Sequence, residues 1–412
     1  MQKFIKQIQV MGKPIAMQLL LGLIGIPVGI IIGAMDTAFG KILLEITGIR
    51  ELYPLYLIPA LPLAGILIAF CYQKFGGTSS KGMALIFEVG HGDEKKIPLR
   101  LIPFVVGSTW ITHLFGGSAG REGVAVQIGA TFSHWIGRHL PIKNAGPIFL
   151  VAGMAAGFSG LFGTPIAAVF FAMEVLVIGE MKFEALLPAF TASIAASTTS
   201  QALGLSKFTF ILSENISFSW ILLAQLLLLG LIFGVVGGLF AWCLKLVKRF
   251  LSDKIKNPIV RIALVGVGLS ALFLLLYQGR YSGLGTNLIQ ASFHNGTIYG
   301  WDWILKFILT IVTLSAGFQG GEVTPLFSIG ASLGAAMAGL FGLPVPFVAA
   351  LGYVAVFGGA TNTFLAPIII GGEIFGFESI PYFFIVCTIS YVFNANKSIY
   401  LQKAKNALKK IE

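Results

Sequence analysis

Charge is what this chain has least of. Only 11% of its 412 residues are Asp, Glu, Lys or Arg, and just 17 are acidic, against 56% hydrophobic residues. A soluble domain of this size has too little polar surface here to cover that much apolar sequence, so a water-soluble globular protein is excluded and a polytopic membrane protein is indicated. Among single residue types, cysteine is scarce too. Cys71, Cys243 and Cys387 sit in apolar surroundings with no CxxC or CxxH spacing, which leaves no disulfide framework and no zinc site. The five histidines show no metal spacing either, and no metal or other cofactor is expected. His134 and His139 are five residues apart near a helix end and read as interface residues.

The net charge of +11 is carried in clusters. Lys3, Lys6 and Lys13 begin the chain, and further clusters run from Lys74 to Arg100, from Lys245 to Arg261 and from Lys397 to Lys410. Basic groups that flank apolar spans follow the positive-inside rule and place both termini and two loops in the cytoplasm. Spread this way they form no nucleic-acid face, and no nucleic-acid partner is expected. Ile15 to Ala34 is too long for a signal-peptide core and reads as a retained first span. A short loop with Asp36, Lys41, Glu45, Arg50 and Glu51 is expected after it.

Several later apolar runs are too short to cross a bilayer, and Gly or Pro interrupts them: Gly82 to Val89, Arg121 to Gly137, Gly146 to Ser159 and Thr164 to Ile178. A polar region with Arg280, His294 and Asp302 follows Ile259 to Tyr277. Sub-length segments of this kind are half-helices of channels and transporters. An internal repeat points the same way. At separations of 199 to 200 residues, Gly117 matches Gly317, Gly120 matches Gly320, Glu122 matches Glu322, Gly153 matches Gly352, Thr164 matches Thr363 and Glu174 matches Glu373. Ile128-Gly129-Ala130 recurs as Ile329-Gly330-Ala331. Acidic residues are so rare here that matched glutamates carry more weight than matched glycines. If the two halves are inverted, the first contains an odd number of crossings.

The stretch Gly116 to Ala130 places Arg121 and Glu122 inside an uncharged apolar segment, where ionisable groups persist only if they pair, line a wet cavity or move protons. Glycines 116, 117, 120 and 123 allow a helix to begin abruptly with free N–H groups facing an anion. A carboxylate at such a place can carry a proton near neutral pH. Ionised, Glu122 fills an anion site itself; protonated, it leaves that site open. Two serine motifs compete with this reading. Gly116 to Gly120 fits GxSxG around Ser118, and Gly157 to Gly160 resembles the GxSG around the nucleophile of intramembrane proteases, here Ser159. A nucleophile needs a base within reach. The only candidates, His113 and His294, lie respectively in the wrong chain context and in a polar loop. A purely structural scaffold is the remaining alternative.

Gly120-Arg121-Glu122-Gly123 before an apolar helix, Gly320-Gly321-Glu322-Val323-Thr324-Pro325 in the second half, and the lone Tyr400 near the end together resemble the CLC family of chloride channels and anion/proton antiporters. The resemblance implies an all-α membrane fold of two inverted repeats with many broken helices, and a homodimer with one pathway per subunit. It implies a cytoplasmic segment over residues 1–14 and one transmembrane domain over 15–412, with repeats of about 15–205 and 217–393, a final helix of about 396–412 and no cytoplasmic regulatory domain. By the same resemblance Glu122 is the gating, proton-carrying glutamate. Gly120, Arg121, Gly123 and Val124 surround the anion from the first half; Val323, Thr324 and the Tyr400 hydroxyl do so from the second.

The departures are specific. Most of the family reads Gly-Ser-Gly-Ile-Pro where this chain has Lys81-Gly82-Met83-Ala84-Leu85, so Met83 takes the serine position. Val124 replaces the proline of Gly-Arg-Glu-Gly-Pro, and Glu322-Val323 replaces an apolar pair. Chloride/proton antiporters carry two glutamates where this chain has Glu174 and Val175, so the inner proton glutamate is missing. These changes resemble the fluoride-exporting branch. They imply a fluoride/proton antiporter in the inner membrane that lowers cytoplasmic fluoride, with fluoride and protons as substrates and Glu322 as the candidate for the cytoplasmic leg. A chloride/proton exchanger or anion channel of the same family is the alternative.

Overall fold

The computed structural model describes residues 2–213 and 216–404, with side chains from residue 15 onward. The first half comprises α1 (Gln2–Leu52), the single turn α2 (Pro54–Leu57), α3 (Leu61–Cys71), α4 (Met83–Gly90), α5 (Leu101–Leu114), α6 (Glu122–His139), α7 (Ala145–Phe162), α8 (Pro165–Glu174), the short strand β1 (Val177–Ile178) and α9 (Leu186–Ala202). The second half comprises α10 (Trp220–Lys254), α11 (Pro258–Leu275), α12 (Thr286–Phe293), α13 (Asp302–Ala316), α14 (Val323–Phe341), α15 (Val345–Thr361), α16 (Leu365–Phe375), α17 (Ile380–Phe393) and β2 (Lys403–Ala404). Among the described residues, six segments are long and apolar enough to cross a membrane: 15–52, 54–90, 145–162, 220–254, 258–275 and 323–341.

Four sequence expectations change. The loop expected after Ala34 is helix, because α1 runs unbroken to Leu52 with Lys41 and Glu45 facing outward while Asp36 is buried against Gly160 of α7. The basic stretch from Lys245 to Lys254 continues α10 instead of opening a loop, and the polar region around Arg280 contains α12. Residues 396–404, expected to open a final helix, are turns and extended chain. Ile399 N donates to Ala360 O at 2.9 Å, and Lys403–Ala404 pairs in parallel with Val177–Ile178, so their backbone bonds go to neighbouring elements. Residues 405–412 of that expected helix, and the tip of the loop at 214–215, lie outside the described residues. The N-terminal segment 1–14 is described as helix from residue 2, continuous with α1.

The repeat pairs noted in the sequence occupy matching places. A Cβ on Gly153 of α7 would lie 2.2 Å from Gly129 O of α6, and a Cβ on Gly352 of α15 would lie 2.2 Å from Gly330 O of α14. Each pair is therefore a backbone-to-backbone helix crossing that only glycine permits. Glu174, at the end of α8, accepts the N–H groups of Phe364, Leu365 and Ala366 at 3.3, 3.1 and 2.9 Å. Glu373, in the last turn of α16, accepts those of Ile166 and Ala167 at 3.0 and 2.9 Å. Each half thus caps a helix start in the other with a carboxylate, where the helix dipole favours it.

Helices α7 and α15 lie at the centre. All of α7 but Pro147 is buried, as is α15 from Phe347 to Thr361. Gly352→Val forces a branched side chain into a backbone contact and is expected to cost about 3 kcal/mol or more. Detergent-purified Gly352→Val should lose its monodisperse elution, while Gly268→Ala, with nothing within 4 Å of the new Cβ, should elute as wild type.

Candidate functional site

The loop between α5 and α6 is held by backbone and not by bulk. Gly117 O accepts from Gly283 N at 3.1 Å, and Ala119 N donates to Gly283 O at 3.2 Å. Gly120 and Gly321 then exchange both bonds, Gly120 N to Gly321 O at 2.5 Å and Gly321 N to Gly120 O at 2.8 Å. This antiparallel bridge is where the two glycine motifs meet, in the arrangement a two-fold relation between the halves requires. Gly320 has φ +155°, and a side chain there would collide with Ala119.

Beside the bridge α6 and α14 begin. Glu122 is the first residue of α6 and is 1% exposed. Its Oε2 accepts from Thr324 N at 3.2 Å and from the Thr324 hydroxyl, and its Oε1 lies 3.5 Å from Arg121 Nε. The carboxylate therefore occupies the N-terminus of α14, a ready-made anion site. Pro325 follows without an N–H of its own, so Thr324 and Val323 supply the donors at this helix start. Val124 and Val323 are buried, and Val124 N donates to Arg121 O at 3.0 Å, closing the first turn of α6. Tyr353 of α15 stacks on Phe327 at 4.1 Å.

A cavity of about 690 Å³ opens next to this dock. Met83, Gln127, Gly320, Glu322 and Tyr400 line it, as do Lys81, Lys245, Lys248 and Arg261. These basic residues belong to the charge clusters that the sequence assigns to the cytoplasm, and they would concentrate an anion. Gly123 joins dock and cavity: a Cβ there would lie 3.7 Å from Met83 Cε and 3.8 Å from Glu322 Oε2. Tyr400 stands on the extended tail, its ring stacked on Phe87 at 5.2 Å and edge-on to Phe171 at 6.1 Å. Its buried hydroxyl has no hydrogen-bond partner among the described residues. A buried hydroxyl left free at a cavity wall is available to an acceptor that enters the cavity.

Of the residues singled out in sequence, Glu122, Arg121 and Thr324 come together at the dock, Gly120 lies in the bridge beside it, and Met83, Glu322 and Tyr400 come together in the cavity. The two serines are otherwise engaged. Ser118 Oγ is bonded to Thr310 Oγ1 at 2.8 Å and to Lys306 Nζ at 2.9 Å, and Ser159 Oγ donates to Ser193 O at 2.9 Å. The two ring nitrogens of His113 lie 2.9 and 3.0 Å from Thr109 O and Ala119 O, and whichever carries the hydrogen donates it to its carbonyl. Neither serine has a hydrogen-bonded histidine among the described residues, so a serine hydrolase has no general base here.

Sequence reasoning missed Lys306. This fully buried lysine of α13 also donates to Gly283 O at 2.7 Å and Tyr281 O at 3.2 Å, tying the 281–283 loop to Ser118 and thus to the loop that leads into Glu122. It is the one lysine inside the apolar run Trp303 to Ala316, and an intramembrane charge was the available signal. Lys306→Met removes the donor of Tyr281 O and one of the two donors of Gly283 O, and is expected to lower stability by about 1–3 kcal/mol. Thermal unfolding in detergent should show the drop, with Lys306→Arg recovering part of it.

Comparison with known proteins was informative at three levels. The family model described as voltage gated chloride channel matches residues 64–395. A chloride/fluoride channel protein of Pseudomonas syringae pv. tomato is 38% identical over 380 residues, covering 90% of this chain and 84% of its own length. The crystal structure of a CLC-type fluoride/proton antiporter superposes with a TM-score of 0.92 at 55% identity, covering 94% of this chain and 98% of that one. A slow cyanobacterial chloride/proton antiporter superposes at 0.79 with 20% identity over 95% of this chain and 97% of that one, which is likeness of fold alone.

Proposed function

The chain belongs to the voltage-gated chloride channel family, CLC, and from that premise we propose that it is a fluoride/proton antiporter, using an inward proton gradient to export fluoride from the cytoplasm. It is a multi-pass membrane transporter and not an enzyme. The observation that carries the reading is the Glu122 carboxylate seated on the Thr324 N–H and hydroxyl at the start of α14. A carboxylate and a fluoride ion compete for the same donors, and protonation removes the carboxylate's claim on them. The ionised carboxylate and fluoride thereby exclude each other at these donors, and proton binding to Glu122 frees them for fluoride, which links the two fluxes.

Around this dock the anion-binding roles fall to Gly120, Arg121, Gly123, Val124, Val323, Thr324 and Tyr400. Met83 lines the cavity where a hydroxyl would favour chloride, and Glu322 takes the cytoplasmic leg of the proton or fluoride. Transport is secondary active, in the inner membrane, with both termini cytoplasmic and a single transmembrane domain. A homodimer, which the resemblance to the CLC family implies, is part of the same reading. A second reading, a chloride/proton exchanger or anion channel, has support from the Pseudomonas relative, which is named for both halides.

Expression in a bacterial strain stripped of its own fluoride exporters tests the reading. Growth in fluoride should be restored, and restored less at alkaline external pH, where the inward proton gradient is small. Equal sensitivity with and without the protein would count against it.

A further inference from the structure

Gln127 is placed in α6 one turn beyond Gly123, and it is 5% exposed. Its Nε2 donates to Gly123 O at 3.2 Å. Since a carbonyl can only accept, that bond fixes the amide: Oε1 must point the other way. There it lies 3.3 Å from where a Cβ on Gly82 would stand, at the wall of the cavity shared by Met83, Glu322 and Tyr400. Among the described residues Oε1 has no hydrogen-bond partner.

A bare acceptor is out of place on an anion's route. The donors beside this route are the Thr324 N–H and hydroxyl at the dock and the Tyr400 hydroxyl in the cavity. An amide oxygen repels fluoride, and leaving it unpaired in a buried wall is costly. It suits a species that brings a hydrogen of its own. Glu322, which lines the same cavity, can do so when protonated, and its Oε2 lies 3.8 Å from a Cβ on Gly123, the residue that already holds the other end of the Gln127 amide.

We infer that Gln127 is a positioning residue for the proton: its Oε1 accepts the hydrogen bond of the Glu322 carboxyl when that group is protonated and holds the acid turned towards the dock. On deprotonation Glu322 loses that bond and swings free of the wall, so the amide distinguishes the two forms of the acid. This rests on the fluoride/proton exchange proposed above and on the cytoplasmic role of Glu322 within it.

The test measures fluoride efflux and proton uptake together in proteoliposomes, with fluoride binding by calorimetry on the same preparations. Gln127→Leu should lower the protons moved per fluoride by about tenfold, the effect of losing one hydrogen bond to the acid, while fluoride binds within twofold of wild type. Gln127→Glu, which keeps an acceptor oxygen at the same reach, should recover most of the ratio. Gln127→Met replaces Leu if the latter does not elute as wild type. In the Glu322→Gln background, Gln127→Leu should change nothing further. An unchanged ratio in Gln127→Leu overturns the inference whatever happens to the overall rate, because a packing role slows both fluxes alike. An equal further loss in the Glu322→Gln background also overturns it, because the hydrogen then comes from water or hydrofluoric acid. If wild type moves no protons, the exchange reading itself falls. If Glu322→Gln alone keeps the wild-type ratio, the Glu322 role falls; both are separate from the amide.

Discussion

Glu122→Gln protein in liposomes is expected to release fluoride without taking up protons. The glutamine amide has nearly the shape of a protonated carboxyl and can rest near Thr324, but it cannot ionise at any accessible pH. Exchange needs both forms of the residue. One, charged, takes the Thr324 N–H and hydroxyl and closes the site to fluoride; the other, neutral, gives them up. With only the neutral form available, proton-coupled fluoride movement should fall by about two orders of magnitude or more, the usual contribution of a positioned proton-transfer group. Glu122→Asp gives the complementary result. It ionises but is one methylene shorter, so it should keep a residue of proton coupling while docking poorly on α14.

Tyr400→Phe carries the second large expectation. The tyrosine ring is fixed between Phe87 and Phe171, and phenylalanine keeps both contacts. Only the hydroxyl disappears, and that hydroxyl has no protein partner among the described residues to be left behind unpaired. The change therefore reads the anion bond almost alone. A hydrogen bond to a charged partner is worth about 1.5–3 kcal/mol, so fluoride binding by calorimetry should weaken about 10- to 100-fold. Protons moved per fluoride should stay as in wild type, because the hydroxyl carries no part of the proton route. Wild-type fluoride affinity in Tyr400→Phe would remove the hydroxyl from the anion site.

The sequence made the membrane class, the broken helices and the two glycine motifs legible because each is a local property: apolar length, interruption by Gly or Pro, and a charge where none is expected. Gly153 and Gly352 were visible as a repeat but not as helix crossings, since the backbone they touch belongs to another helix. Glu174 and Glu373 were likewise matched in sequence, yet their work as caps across the two halves depends on helices about 190 to 207 residues away. Charge misled over α1. Asp36, Lys41 and Glu45 looked like a loop, whereas burial of Asp36 against the small Gly160 lets the helix continue. The tail misled for a similar reason. Residues 399–404 have helical composition but find their backbone partners in α15 and β1. Within the site, Glu122 could be read from its motif, but its dock on Thr324 could not, and Gln127 and Lys306 gained meaning only from what surrounds them.

Fluoride and chloride efflux, measured side by side from proteoliposomes of the wild-type protein while external pH is recorded, tests the central claim most directly. Fluoride should leave much faster than chloride, with protons entering in fixed proportion to it. Equal rates for the two halides, or fluoride leaving with no alkalinisation of the medium, would contradict it.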